Sequence, residues 1–256
     1  MTMALSKDAL LTKLKEWAIE HETIGHALSP TCEMHSENIR GTPFEKFIGK
    51  GQAKNLFFRV PSGGGPLKNR LFLVCALFDT VVEPKALSSR LGIKASAPLR
   101  FAPDEVFDNI LQIPKGSVNP FVMAQESCKE VTLLLDDQFK SCEKLIFHPM
   151  QSDFSTALSP DQLVAFLDQA APANYAFVDL SASTPIAAPS GAAGGSAAGS
   201  GGSSKAAEPP KSSAPAATVE ALEGSLEDVG GLCTEPWKSG GPNRYTWHRA
   251  WLGAAG

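Results

Sequence analysis

The sequence predicts an α+β domain over residues 1–182, built from a mixed set of helices and strands. Three observations predict it. Strand-like apolar runs follow one another across short Gly/Pro turns, as in "NLFFRV", "PSGGGPLKN" and "RLFLVCALF", which read as a hairpin. Helical stretches are few and carry recognisable starts. Neither a GxGxxG nor a P-loop is found, and strands and helices do not alternate in the manner of a doubly wound sheet.

The elements follow in order. Ser6 is placed to cap a helix whose Leu10, Leu14 and Trp17 share one face. The hairpin pair comes next, with Lys54 at the mouth of its first strand. Pro84 opens a short helix that Gly92 stops, and Pro103 opens another whose Val106, Ile110 and Leu111 face inward. "FVMA" and "VTLLLD" read as strands on either side of "QESCKE", and "EKLIFHP" as a strand cut off by Pro149. "SPDQLVAFLDQ" has a strong helix start, with Ser159 as cap, Pro160 at the first helical position and Gln162 completing a capping box. "YAFVDL" is a final strand. The expected pairing is largely antiparallel.

After residue 182 the composition changes sharply. Residues 183–217 are almost wholly Ala, Gly, Ser and Pro, which cannot bury enough apolar surface to offset ordering, and read as a flexible linker. Residues 218–256 read as a short, largely disordered tail with an aromatic cluster of Trp237, Tyr245, Trp247 and Trp251.

The chain has 256 residues, 43% of them hydrophobic, and a formal net charge of −4, so one domain with a real core is expected and a global basic surface for long DNA is not. No run approaches the roughly 18 apolar residues of a membrane span. Cys32, Cys75, Cys128, Cys142 and Cys233 are irregularly spaced, with no zinc-type cluster. Their odd number and the N-terminus "MTMALSKDALLTKLKEW", which has neither signal- nor transit-peptide character, point to a reducing, cytoplasmic setting. No metal or cofactor is expected.

Four features are able to carry chemistry. Lys54 offers a cation for a phosphate or a developing oxyanion. In "KGSVNPF", Gly116 and Pro120 frame a tight loop in which glycine permits close approach of backbone to ligand. His148 ends a strand ahead of small polar residues, Ser152 among them. In "IGHALSPTCE", His26, Thr31 and Glu33 are able to line a wall. No GxSxG elbow exists and no cysteine has an evident His and Asn partner, so a protein nucleophile is not expected.

The order of these segments carries a resemblance. "AKNLFFR", "ALFDTVVEPKALSSRLGI", "LRFAPDEVFDNILQIPKGSVNPF", "VTLLLDDQF", "FHPMQSDFSTALSPDQLVAFL" and "YAFVDL" together closely resemble the YbaK/prolyl-tRNA synthetase-associated editing domain, from about residue 6 to about residue 181. Within that superfamily the free-standing ProXp-ala type, the Ala-tRNA(Pro) deacylase, is most similar. The resemblance implies a strongly bent, partly barrel-like mixed sheet with flanking helices. It implies hydrolysis of mischarged aminoacyl-tRNA, with the tRNA(Pro) acceptor end as substrate and prolyl-tRNA synthetase as a partner. It implies Lys54 as the essential lysine of "KNLF" and His148 as the second catalytic residue, from the "HP" motif. Gly116 and Pro120 fall in the GxxxP loop that holds the terminal adenosine and aminoacyl group, and His26 and Thr31 in the early "H…T" segment. Ser152 stands where the family has Asn, and Ala27 where Pro is common. The resemblance also leaves Cys-tRNA(Pro) hydrolysis, as in the YbaK branch, and a non-catalytic tRNA-binding module as alternatives.

Overall fold

A computed structural model describes residues 4–182 and 186. The linker and tail expected over 183–217 and 218–256, with Cys233 and the aromatic cluster, lie outside the described residues but for Ile186.

Helix α1 (Lys7–Glu16) starts where Ser6 accepts a hydrogen bond from the Ala9 amide, and it buries Leu10 and Leu14 completely. Each such leucine contributes about 2 kcal/mol by leaving water. Strand β1 (Glu22–Gly25) and helix α2 (Cys32–Asn38) follow. Strands β2 (Ala53–Arg59) and β3 (Leu71–Leu77) form the expected hairpin, in register from Ala53 opposite Leu77 to Arg59 opposite Leu71. Helix α3 (Pro84–Arg90), the short strand β4 (Arg100–Phe101) and helix α4 (Asp104–Ile110) come next. The chain then runs through β5 (Val131–Asp136), β6 (Leu145–Phe147), β7 (Phe154–Leu158), α5 (Pro160–Ala170) and β8 (Tyr175–Val178).

The fold is α+β, as expected, with two sheets among the described residues. A five-stranded sheet has the order β4-β2-β3-β5-β8, and a three-stranded sheet has the order β1-β7-β6. The large sheet is mixed: β2 pairs antiparallel with β3 and β4, whereas β3, β5 and β8 run parallel. The largely antiparallel expectation therefore holds for only part of it. Helices cover both faces of the central strands. Phe57, Leu73, Cys75, Leu133 and Leu135 pack with α1, α4 and α5 residues such as Leu14, Phe107 and Phe166. Leu56, Phe58, Phe72, Val74 and Leu134 pack on the other face against Leu87 and Leu91. Burial on both faces explains why "RLFLVCALF" and "VTLLLD" are continuous apolar runs without alternation.

"FVMA" is a correction. Pro120–Ala124 is a 3-10 helix, started by Asn119, whose side-chain oxygen accepts from the Phe121 amide at 2.8 Å. Its Phe121, Val122 and Met123 are all buried, so the apolar run had no periodicity to tell helix from strand. The capping box at α5 is half formed. Ser159 accepts from the Gln162 amide, but the Gln162 side chain accepts from the Glu20 amide instead, tying α5 to the end of α1. The sheets do not close into a barrel among the described residues. They meet at a single bridge, Gln52 to Ile146, beside a hydrogen bond from the Ile146 amide to the Gly51 carbonyl.

That junction requires glycine. A Cβ on Gly51 would sit 1.9 Å from the Lys144 carbonyl oxygen, a backbone atom that cannot swing away. Gly51→Ala is expected to destabilise the domain by about 3 kcal/mol, read as a lowered urea midpoint. An unchanged midpoint would contradict this account of the junction.

Candidate functional site

The junction places the start of β2 against the strand that ends in His148. Three further segments pack here. The Gly25–Thr31 stretch continues β1 along the loop after His148: the His26 amide donates to the Asp153 carbonyl at 2.9 Å, and the Ser29 amide to the Ser152 carbonyl at 2.8 Å. Gly116, at φ +87°, lies so close to Pro30 that a Cβ would be 3.0 Å from the Pro30 Cα and carbonyl oxygen. The side chain of Asn119 reaches the loop after His148 from the other side, 3.8 Å from the Met150 sulfur. Met150 itself holds a left-handed φ of 69°. The structure thus brings His26, Thr31, Gly116 and Ser152 together with His148.

Each expected site residue has an observed task. Lys54 is the second residue of β2, half-buried, and donates to the Phe78 carbonyl at 2.9 Å. It also lies near the first turn of α2, where its charge acts on the Cys32 thiol. Thr31 is the cap of α2 and accepts from the Met34 amide. Pro120 is buried and begins the 3-10 helix. Ser152 is buried and offers its carbonyl to Ser29. His148 donates Nδ1–H to the Phe154 carbonyl at 2.8 Å, which directs its Nε2 lone pair elsewhere.

Three of the chain's five histidines converge. The His35 ring lies 4.7 Å from His148 and 5.4 Å from His26, and His26 lies 5.7 Å from His148, between centroids. Burial, with the two neighbouring imidazoles, lowers His35 to about 2, and burial chiefly lowers His148 to about 4. Both rings are neutral at pH 7.

Sequence reasoning did not single out His35, Gln52 or Ser155. Gln52 is buried, and its side-chain amide donates to the Cys32 carbonyl at 2.9 Å and to His35 Nδ1 at 3.0 Å. His35 Nε2 faces Ser155 Oγ at 2.7 Å, and Ser155 Oγ faces His26 Nε2 at 2.8 Å. His26 Nδ1 faces the Ala27 carbonyl at 2.7 Å. The only available signal was that His35 falls one helical turn after the Thr31 cap, on the side that returns to His26.

Ligand-capable nitrogens of the three histidines all lie within 4.8 Å of one another, the residue set a metal ion would use. The hydrogen-bond directions suit another role. A carbonyl only accepts, so Gln52 must present N–H to both Cys32 and His35, and His35 then carries its proton on Nε2, where a metal would have to bind. The cysteines are unsuited to nucleophilic work. Burial pushes Cys32 and Cys128 up to about 12 and raises Cys75 well above its ordinary value, so these stay thiols. Two polar atoms beside the expected site, Asn55 Oδ1 and Ser117 Oγ, are buried without a hydrogen-bond partner.

Comparison with known proteins places this arrangement. The model of the aminoacyl-tRNA editing domain family matches residues 44–166. The match supports the aminoacyl-tRNA editing domain family for that stretch. The chain is 28% identical over 145 residues to "Prolyl-tRNA synthetase associated domain-containing protein 1" of Xenopus laevis, covering 55% of this chain and 82% of that protein. It is 27% identical over 159 residues to "Prolyl-tRNA editing protein ProX" of Acetoanaerobium sticklandii, covering 62% and 88%. Three solved structures align over 65–69% of this chain at 12–16% identity, with TM-scores of 0.46–0.49.

The histidines make the fold sensitive to acid. The folded pKa values of His35 and His148 lie below the ordinary value, so unfolding takes up protons at His148 between about pH 6.5 and 4 and at His35 between about pH 6.5 and 2. The stability they contribute is present above pH 6.5 and is lost as pH falls through those windows. His35→Gln is expected to remove about one proton of this uptake, read from the slope of unfolding free energy against pH. A slope unchanged by the substitution would contradict the assignment.

Proposed function

We propose that this domain is a trans-editing deacylase that hydrolyses mischarged aminoacyl-tRNA(Pro), with Ala-tRNA(Pro) as preferred substrate, in support of prolyl-tRNA synthetase in the cytoplasm. The observation that carries the reading is the meeting of the Gly116 loop and the His26–Thr31 segment beside neutral His148, with Lys54 near the start of α2, in a chain whose residues 44–166 match the editing-domain family.

An aminoacyl ester is already activated. The reaction adds water to the ester carbonyl and releases the terminal ribose oxygen, leaving free amino acid and intact tRNA. What the site must supply is position and charge stabilisation. Lys54 supplies a cation for the phosphate or for the oxyanion that forms when water attacks. His148, neutral and with Nδ1–H held by Phe154, offers Nε2 as an acceptor for the attacking water or a ribose hydroxyl. Gly116 allows the loop backbone to approach the aminoacyl end, and Pro120 fixes the loop's exit. Asn55 Oδ1 and Ser117 Oγ support a polar occupant. Buried polar atoms are rarely left without partners, and these two lie next to Lys54 and Gly116 in sequence. Selection would be by size, since a pocket that fits alanine excludes the proline ring.

Ser152 is the observation that favours a second reading. It is shorter than asparagine and lacks its amide, so a module that binds tRNA without turnover, or one with altered preference among alanyl, cysteinyl and seryl esters, is the rival.

Single-turnover hydrolysis of labelled Ala-tRNA(Pro) tests both. We expect acceleration over buffer, Pro-tRNA(Pro) spared by roughly 100-fold, and a loss of about 100-fold in Lys54→Ala. Binding without ester loss would support the module, faster loss of the cysteinyl ester would support the rival substrate, and full activity in Lys54→Ala would remove that residue from the chemistry.

A further inference from the structure

We infer that His35 is a positioning residue: held by Gln52, it fixes the direction of the Ser155 hydroxyl toward His26 Nε2, and its own ring wedges His148 in place. The geometry leaves one consistent set of hydrogen bonds. Gln52 Nε2 is committed as a donor by the Cys32 carbonyl at 2.9 Å, so the contact at 3.0 Å makes His35 Nδ1 an acceptor. His35 Nε2–H then donates to Ser155 Oγ at 2.7 Å. The Ser155 hydroxyl has one hydrogen, which goes on to His26 Nε2 at 2.8 Å. His26 is left with its proton on Nδ1, facing the Ala27 carbonyl at 2.7 Å. The chain Gln52–His35–Ser155–His26 thus runs in one direction, from a buried amide to a half-buried imidazole at the candidate site.

Its middle members are shielded from water. Ser155 is 0% exposed and His35 is 4% exposed, so an alternative partner from solvent is remote and a missing link would leave a buried group unsatisfied. His148 is the third ring of the cluster. It hydrogen-bonds to Phe154, and its orientation is further limited by the His35 ring at 4.7 Å and the His26 ring at 5.7 Å. Asp153 is the charged group that acts on His148 from the adjoining loop. A cluster with one hydrogen-bond arrangement gives a bound ester a fixed pattern of donors and acceptors, which is what a site acting by position requires.

The proton positions can be read without any activity, from two-bond nitrogen–proton correlation spectra of histidine-labelled full-length protein at pH 7. The expected pattern is Nε2–H on His35 and Nδ1–H on both His26 and His148. Ser155→Ala, a small change that keeps the backbone, should leave His26 on Nδ1–H, held by Ala27, and move its Nε2 nitrogen signal toward that of an unbonded acceptor while His35 and its partner Gln52 remain. His35→Phe, which frees the Ser155 hydroxyl to turn, should move the same signal the same way, and His35→Gln, which restores a donor near the Nε2 position, should return it. A second arm rests on the deacylase reading. There His35→Phe should lower kcat by about tenfold with KM little changed, and His35→Gln should recover most of it. Absence of deacylase activity in the unsubstituted protein would count against that reading and leave the spectra to decide this one. The inference is overturned if His35 carries its proton on Nδ1, if the His26 Nε2 signal is unmoved in folded Ser155→Ala and His35→Phe, or if equimolar zinc shifts all three rings together.

Discussion

Gln52 is the residue on which the rest of the structure depends. Its backbone forms the single bridge between the two sheets, opposite Ile146, and its carbonyl accepts from the Phe78 amide. Its side chain ties the start of α2 to the histidine cluster through Cys32 and His35. Two residues later comes Lys54, which returns to the Phe78 carbonyl. One short stretch therefore fixes sheet against sheet and helix against strand, and sets Lys54 near the start of α2. Gly51 makes this possible, because only a residue without a side chain admits the Lys144 carbonyl. The close approach also stiffens the site: the strand carrying Lys54 and the strand leading to His148 cannot separate without breaking the bridge.

Much of this order was legible in the sequence, and the reasons are local. Ser6 and Ser159 cap their helices because a hydroxyl just before an apolar periodic run has an amide to accept. The β2–β3 hairpin was legible because its Gly/Pro loop separates two strong runs. Lys54, Gly116 and His148 stood out through family order. What was not legible depends on contacts between distant segments. β1 and β7 are short and lack a long apolar run, and they exist because they pair with each other from Glu22–Ala157 to Gly25–Phe154. The parallel pairing of β3, β5 and β8 is set by crossovers whose direction no strand pattern records. Pro120–Ala124 took a tight helix where burial on every side had erased the periodicity. His35, Gln52 and Ser155 lie 17 to 120 residues apart in their contacts, so no motif window contained them.

The site's electrostatics follow from its burial. Thiols held up to about 12, and imidazoles held down to about 4 and about 2, remove strong nucleophiles and extra positive charge from the region. In the proposed reading Lys54 supplies the cation, beside the first turn of α2. That combination suits an ester whose reaction needs water placed and an oxyanion held, and it is poorly matched to chemistry through a covalent enzyme intermediate. The Gly116 backbone lies close against Pro30 on the facing segment, an approach that a side chain at this position would crowd.

The central claim is that these segments form one substrate site. The most direct measurement is amide chemical-shift mapping with a non-hydrolysable alanyl-adenosine analogue whose ester is replaced by an amide. The account predicts the largest shifts at Lys54, Asn55, Gly116, Ser117 and His148, with smaller ones along His26–Thr31. Shifts centred elsewhere, for example on the apolar hollow formed by Val82, Leu87 and Leu180, with these residues unmoved, would contradict it.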